Sequence, residues 1–366
     1  MRLCVPRGGT VSHPRTFFNS LEFSEKNATK FTPGAMALGT TEKDFREFCR
    51  LHPLEGVAWR AVMTQNFEAL RRALEVPLLD VNLRHPLLMS GAPMIYMVVH
   101  FYMKETGISD ETWGRDNFKC DKRKSGGKAG KAYKALELFL RHGVDVNASC
   151  RFPDGKIMLP LGLLCQGGFA DAVQLFMDLS PTLDVMAKID YERVGRKCIA
   201  WPLVQAICTR EDDVALMLIR HPSFVAGRDS RVLFHAVEVD SRRIVTELLG
   251  LAGTARVINL PNPTMLLTFG TPLTKACYCG HSCVPLLLEA GADLLLTCEG
   301  KPPPAHLVEP DIPSLRLTPM ANAIAAGAEP RVIDFLVAAG AHRPTIEVPV
   351  GTLFQYLSDA MAFGMT

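Results

Sequence analysis

The sequence predicts an all-α protein built as a solenoid of short helix pairs. The first observation is the stretch GTPLTKACYCGHSCVPLLLEAGAD at residues 270–293. Thr271 and Pro272 are typical of a helix start, Gly280 suits a turn between two helices, and Gly291 ends the second helix. The second observation is a similar closing segment, LFLRHGVDVNA, at residues 138–148, and the third is the recurrence of such apolar helix pairs along the chain.

The stretch around Thr271-Pro272-Leu273 also resembles a known repeat. Ala276 and then Gly280-His281 follow at the spacing of an ankyrin repeat, a β-turn plus two antiparallel helices whose pattern contains T-P-L-H-x-A. Thr274 stands where that pattern has its histidine. The resemblance implies an all-α ankyrin-repeat solenoid, with helix-turn-helix repeats and β-turn fingers, of about seven repeats between residues 57 and 341.

The remaining units are placed by their weaker openings. The first unit spans residues 57–84, and the others open at Ala92-Pro93-Met94, Leu159-Pro160-Leu161, Trp201-Pro202-Leu203, Val232-Leu233-Phe234 and Thr318-Pro319-Met320. The unit at Val232 has no proline but contains His235, which we expect at the position where the family's histidine bonds the turn.

Segments outside and between the repeats have their own signatures. We expect residues 1–40 to be a disordered N-terminal tail, residues 41–56 a helical cap, and residues 342–366 a C-terminal cap or tail containing an apolar stretch at Leu353–Leu357. A mitochondrial transit peptide is the weaker alternative for the tail, because Pro6 and Pro14 would break its helix. Residues 105–130 are predicted to be an insertion, and the proline-rich residues 300–316 a long finger loop.

Composition limits the classes of function. The chain has 366 residues, a net charge of +2 and 48% hydrophobic residues, which allows a large core and gives no drive toward nucleic acid. No apolar run approaches the ~20 residues that span a bilayer. The 11 cysteines are scattered and odd in number, which favours reduced thiols in the cytoplasm or the nucleus.

Several local motifs suggest chemistry but fail on spacing. Cys277, Cys279, His281 and Cys283 form C-x-C-x-H-x-C, whose members point to different sides of a helix end, so we predict no metal site. Residues 125–132 lack the glycine and hydroxyl residue that a P-loop needs. The basic segment 119–134 is interpreted as a solvated loop, with a nuclear import signal as the alternative. No catalytic motif occurs, and we predict neither an enzyme nor a cofactor.

The resemblance also separates core from surface. The large aromatic residues expected in the core are Trp59, Phe67, Phe139, Phe176, Phe234 and Phe335. The inner-helix residues expected to contact a partner are Tyr96, Gln166, Gln205, Thr209, Lys275, Tyr278 and Asn322. They are polar or aromatic and have no other structural role in the repeat pattern.

The function implied by the resemblance is protein binding. A monomeric ankyrin array would act as a scaffold, adaptor or inhibitor that holds a partner protein on its concave face and finger loops. The alternative is a substrate-recruiting subunit of a ubiquitin ligase, which would dock a second protein through the tail beyond Pro344.

Overall fold

The structure is a computed structural model that describes residues 42–341, apart from residues 78, 85–91, 108–129, 152–154, 194–195, 262–269, 297, 300–315, 318 and 326. The helices are α1 Glu42–Leu51, α2 Pro53–Met63, α3 Phe67–Leu74, α4 Met94–Glu105, α5 Lys131–Arg141, α6 Pro160–Gln166, α7 Ala170–Leu179, α8 Pro202–Cys208, α9 Asp212–Ile219, α10 Arg231–Glu238, α11 Arg242–Leu249, α12 Pro272–Cys279, α13 Val284–Glu289, α14 Pro319–Ala325 and α15 Pro330–Ala338. A short 3₁₀ helix, Thr254–Arg256, follows α11.

Helices α2 to α15 form seven consecutive pairs, which we number repeats 1 to 7. The first helix of each pair contacts the first helices of the neighbouring repeats, and the second helix contacts the neighbouring second helices. The seven repeats therefore form two layers of helices. The inner layer consists of α2, α4, α6, α8, α10, α12 and α14, and the outer layer consists of α3, α5, α7, α9, α11, α13 and α15. The all-α solenoid predicted from the sequence is confirmed, and it contains seven repeats in the described part.

The inner helices other than α2 begin at or next to the openings that the sequence predicts. Proline occupies one of the first two helical positions in α2, α6, α8 and α12, where its missing N–H costs no hydrogen bond. In repeat 6 the Thr271 side chain accepts from Thr274 N, and Thr271 N donates to Thr274 Oγ1 at 2.9 Å. Thr274 thus completes a capping box in place of the histidine of the usual pattern.

One residue of the interhelix turn adopts a left-handed backbone in repeat 1 and in repeats 3 to 7. Gly168, Gly280 and Gly327 have φ between 65° and 70° at this position. In repeats 1, 4 and 5 the same position holds Gln65 at φ 55°, Arg210 at φ 60° and Asp240 at φ 52°. Residues other than glycine pay a steric cost there, so these three repeats form the turn although their own backbone preference opposes it.

Asp-x-Asn segments join successive repeats after their outer helices. The Asp80 carboxylate accepts from Asn82 N at 2.9 Å, and the Asn82 side chain accepts from Asp145 N of the next repeat at 2.7 Å. Asn147 continues the series by donating to Thr182 O at 3.1 Å. These side chains satisfy backbone groups of the loops that follow the outer helices.

Three short antiparallel hairpins project between repeats. They are β1 Cys150–Arg151 with β2 Ile157–Met158, β3 Ile189–Arg193 with β4 Arg196–Ala200, and β5 Cys298–Glu299 with β6 Arg316–Leu317. The longest, β3–β4, pairs Ile189 with Ala200 at its base. They correspond to the fingers that the sequence predicts.

The core runs through both layers. Trp59, Phe139, Phe176 and Phe234 are completely buried, and Phe67 is partly buried. The prediction for Phe335 is wrong, because its side chain is 48% exposed. Phe335 lies on α15, the last outer helix among the described residues, whose main helix contacts are with α14 of its own repeat and α13 of repeat 6.

The segments that flank the repeats fall largely outside the described residues. These include the predicted tail at 1–40, most of the insertion at 105–130 with its basic segment, most of the finger at 300–316, and the C-terminal residues 342–366. Helix α1 lies in the range predicted as an N-terminal cap, and α2 begins at Pro53, before the predicted start of the array. Among the described helices none is long and apolar enough to cross a membrane.

Candidate functional site

The inner layer is buried along α4 and α6, whereas the inner helices on either side of these two have accessible residues. Every residue of α4 from Met94 to Met103 is buried, and so is every residue of α6. Helices α8, α10 and α12 are different, because each presents exposed or half-buried side chains near its C-terminal end. One accessible stretch of the inner layer therefore spans repeats 4 to 6, and further exposed inner-helix residues are Pro53 in repeat 1 and Ile324 in repeat 7.

Backbone hydrogen bonds define which residues are equivalent in these repeats. Glu211 N, Ser241 N and His281 N donate to the carbonyls of Ala206, Ala236 and Ala276, at 2.9, 3.1 and 2.9 Å. Counting from these alanines, one inner-helix position holds Gln205, His235 and Lys275. A second position, one turn later, holds Cys208, Glu238 and Tyr278.

Side chains at these two positions form a chain of contacts across three repeats. Cys208 Sγ of repeat 4 lies 4.0 Å from His235 Nδ1 of repeat 5. The same Nδ1 lies 3.0 Å from Glu238 Oε2, and Glu238 Oε1 lies 3.3 Å from Lys275 Nζ of repeat 6. We refer to Cys208, His235, Glu238, Lys275 and Tyr278 as the inner strip.

The inner strip is charged at neutral pH. Burial opposes protonation of His235, but contacts with Cys208 and Glu238 outweigh it and raise the pKa of the imidazole to about 9. The pKa of Glu238 is lowered, because His235 and Lys275 outweigh the effect of its burial. The side chains of His235 and Glu238 are 17% and 27% exposed, so the pair is only partly screened by water.

The geometry of the inner strip differs from that of a nucleophilic catalyst. In a Cys-His-acid arrangement the thiol and the carboxylate contact opposite nitrogens of the imidazole. Here both Cys208 and Glu238 approach Nδ1, so the carboxylate cannot orient the ring toward the thiol. Within the described residues, no group of three or more His, Cys, Asp or Glu side chains could hold a metal ion. The strip places charged and hydrogen-bonding groups on the inner layer.

The turn beside the inner strip is tied to the next repeat. Asp240 accepts from Ser282 Oγ at 3.1 Å and lies 3.9 Å from His281 Nδ1. Burial lowers the pKa of His281 even though Asp240 acts in the opposite direction. The contact fixes the spacing of repeats 5 and 6 beneath the strip.

Three of the residues expected to contact a partner are buried inside the protein, and a fourth, Gln205, is half-buried. Tyr96 and Asn322 have no exposed surface, and Gln166 is only 5% exposed. The Gln205 amide packs over Gly162, where a Cβ would lie 2.2 Å from Gln205 Oε1, and its Nε2 approaches Met158 Sδ at 3.3 Å. All four side chains were expected at the surface. Packing within the inner layer covers the first three, and packing between repeats 3 and 4 covers part of Gln205.

The other three expected contact residues have different outcomes. Lys275 and Tyr278 belong to the inner strip, where Lys275 is 8% exposed and Tyr278 is half-buried. Thr209 is half-buried, and its hydroxyl donates to Gln205 O at 2.8 Å, which is a helix-end contact. Their roles in binding stay a prediction.

Sequence reasoning missed Cys208, His235 and Glu238. His235 was expected to bond the turn, but the structure places it at the position of Lys275, in the last turn of α10. The slip arose because repeat 5 has neither the Thr-Pro opening nor a turn glycine. Counting back from Ala236, the small residue, would have identified His235 as the exposed position.

A second polar cluster supports the β3–β4 finger. Trp201 is 1% exposed, and Lys188 Nζ and the Arg231 guanidinium lie 5.2 and 5.5 Å from its ring centroid. Asp229 pairs with Lys188 and, at 2.7 Å, with Arg231. Burial raises the pKa of Asp229, but the two cations outweigh it and hold that pKa far below its usual range. This cluster joins the finger to repeat 5.

These features define the class of protein. Seven stacked helix pairs, left-handed interhelix turns, finger hairpins and Asp-x-Asn links make the described chain an ankyrin repeat solenoid. No family model matches the sequence, and no curated protein is similar enough to be a relative.

The solved structures that are similar to the chain include two ankyrin repeat domains. One is the ankyrin repeat domain of Bcl-3, a member of the IkappaB protein family, at 17% identity with a TM-score of 0.47, covering 77% of this chain and 97% of that one. The other is the human ASB11 ankyrin repeat domain, at 20% identity with a TM-score of 0.38, covering 61% of this chain and 92% of that one. These values identify no partner for this chain.

Proposed function

We propose that the chain is a non-enzymatic scaffold or adaptor that binds a partner protein through the inner strip and the adjoining surface of α8, α10 and α12. The observation that carries the proposal is the change along the inner layer. It is closed over α4 and α6 and becomes accessible where charged side chains cross three repeats. Curved repeat arrays offer this layer as an extended binding surface.

The chemistry of the inner strip suits recognition. Its charged groups are held in place by one another, so little side-chain entropy is lost when a partner binds. Cys208 at one end is exposed, and Tyr278 at the other is half-buried. The charged groups between these two residues favour binding of a specific partner over general hydrophobic association.

The binding test compares two variants of the inner layer with one of the outer layer. Cys208→Arg and Cys279→Arg place bulky charges at exposed inner-helix positions, and Gln174→Arg places one on an exposed outer-helix position of α7. We expect proteins captured from lysate by the wild type and by Gln174→Arg to be lost from both cysteine variants. Circular dichroism establishes equal helix content. Retention of the same proteins by both cysteine variants would contradict the proposal.

The ubiquitin-ligase alternative depends on residues 345–366, which lie outside the described residues. A chain ending at residue 341 separates the two. An adaptor that uses the inner strip would keep its partner after this truncation. A recruiting subunit would instead lose the components of the ligase and keep the recruited protein.

The cellular setting is also a proposal. Eight cysteines in the described residues are free thiols, which is typical of a reducing compartment. We therefore place the protein in the cytoplasm or the nucleus, as a monomer.

A further inference from the structure

The β3–β4 finger is joined to repeat 5 by two ion pairs. Lys188, the residue before β3, pairs with Asp229 of repeat 5. Arg231 Nη1 of repeat 5 lies 3.7 Å from Asp190 Oδ1 on β3. The finger and repeat 5 therefore each contribute one cation and one acid. We refer to these two ion pairs as the finger latch.

Little apolar packing supports the finger. Of the side chains described in β3 and β4, only that of Ala200, at the base of the finger, is buried. A two-stranded hairpin is marginally stable by itself, and segments with few buried apolar contacts open at a lower free energy than the core around them. The position of the finger thus depends on the finger latch and on the contact between β2 and β4.

The finger latch lies over an aromatic ring. Trp201 directly follows β4 and is 1% exposed, and Lys188 Nζ lies 5.2 Å from the centroid of its ring. The indole Nε1 is buried and has no hydrogen-bond partner among the described residues. A buried donor without an acceptor is unfavourable. The closed finger therefore keeps an unsatisfied N–H group at its base.

Trp201 also adjoins the proposed binding surface. It is the N-cap of α8 and lies four residues before Gln205, which occupies the position of His235 and Lys275. Side chains four residues apart along a helix lie on one face. Tryptophan is frequent among the residues that dominate binding energy, because a large ring and an N–H donor act together.

We propose that the finger is a cover that opens as one unit when the finger latch separates, and that opening uncovers Trp201 as a contact residue for the partner. The inference rests on the proposed function, because Trp201 extends the surface formed by α8, α10 and α12. The partner segment that fits has an apolar side chain to pack on the ring and a carbonyl oxygen to accept from Nε1. Only such a segment offsets the separation of two ion pairs, so the cover adds to specificity.

The first test is hydrogen exchange in the full-length chain without a partner. Changing Lys188→Met and Asp190→Asn together removes both charges that the finger supplies and leaves the pair of Asp229 with Arg231 in place. We expect the amides of β3 and β4 to exchange about tenfold faster, while α9 and α11 keep the rates of the wild type. Lys188→Arg keeps the cation and should keep the slow exchange.

A matched control removes an ion pair close to the finger latch in sequence. Arg228 Nη1 lies 3.8 Å from Asp184 Oδ2, their side chains are 57% and 42% exposed, and neither residue belongs to the finger. Arg228→Met should therefore leave the exchange of β3 and β4 unchanged. Acceleration by Arg228→Met equal to that of the double variant would show that the effect is not specific to the finger latch.

Hydroxyl-radical labelling, followed by mass spectrometry of the peptides, measures the exposure of Trp201 itself. We expect labelling of Trp201 to rise about threefold or more in the double variant. Trp59, which is 0% exposed in repeat 1, is the internal control and should not change.

Three results would overturn the proposal. They are equal exchange of β3 and β4 in the wild type and the double variant, equal acceleration of α9 and α11, and no rise in the labelling of Trp201. These measurements involve no partner, so their failure would leave the proposed function to its own binding test.

Discussion

The left-handed interhelix turns offer the sharpest test of the stability of the array. Gly280 adopts φ 65°, and a Cβ built at this position meets nothing within 4 Å. Any loss of stability in Gly280→Ala must therefore come from the backbone and not from a clash. Arg210 provides the reverse test, because an exposed non-glycine residue adopts φ 60° at the equivalent turn.

The magnitude follows from two opposing effects. A left-handed conformation costs a residue with a Cβ about 1–2 kcal/mol. Replacing glycine also lowers the conformational entropy of the unfolded chain, which raises the free energy of unfolding by about 0.4–1 kcal/mol. We therefore expect Gly280→Ala to lower the free energy of unfolding by about 1 kcal/mol, and Arg210→Gly to raise it by a similar amount.

Urea unfolding followed by the helical circular dichroism signal measures both changes. Gly280→Asn is the matched control, because asparagine tolerates the left-handed region better than alanine and should cost less. The reasoning is refuted if Gly280→Ala is as stable as the wild type, or if Arg210→Gly is less stable. Equal losses in the alanine and asparagine variants would also refute it.

Three further predictions concern side chains. Folding raises the pKa of His235 from about 6.5 to about 9, so the folded state binds a proton more tightly than the unfolded state. The free energy of unfolding should therefore fall as the pH rises from about 6.5 to about 9. His235→Gln should flatten this pH dependence, and an unchanged dependence in urea unfolding would contradict the prediction. Asp229→Asn leaves the buried Arg231 without the carboxylate that lies 2.7 Å away, and it should lower the free energy of unfolding in urea by about 3 kcal/mol. A decrease of less than about 1 kcal/mol would contradict a stabilising role for the ion pair. Asn82→Ala removes the acceptor for Asp145 N and should cost about 1 kcal/mol, whereas wild-type stability would show that the link is dispensable.

Much of the fold could be predicted because its signals are local. The Thr271 capping box and the turn at Gly280 each depend on a few neighbouring residues. Such signals survive in sequence even when repeats diverge. Repeat 5 shows the limit, because Asp240 replaces the turn glycine and the opening has no proline, so the register of His235 was misplaced.

The candidate site could be predicted only in part. Lys275 and Tyr278 were recognised, but Tyr96, Gln166 and Asn322 were expected at a surface from which packing removes them. A sequence pattern can place a residue on the inner helix. It cannot report how closely neighbouring inner helices and fingers approach that helix.

The sequence by itself determined the repeat, its helix ends and its turns, because these depend on backbone preferences and hydrogen bonds within a few residues. Only the tertiary structure decided which inner helices stay accessible, since exposure depends on the neighbours that stack on each repeat. It also decided that His235, Glu238 and Lys275 meet, although they come from different repeats or different turns of one helix. The exposure of Phe335 has the same origin, because it lies on the last helix of the stack.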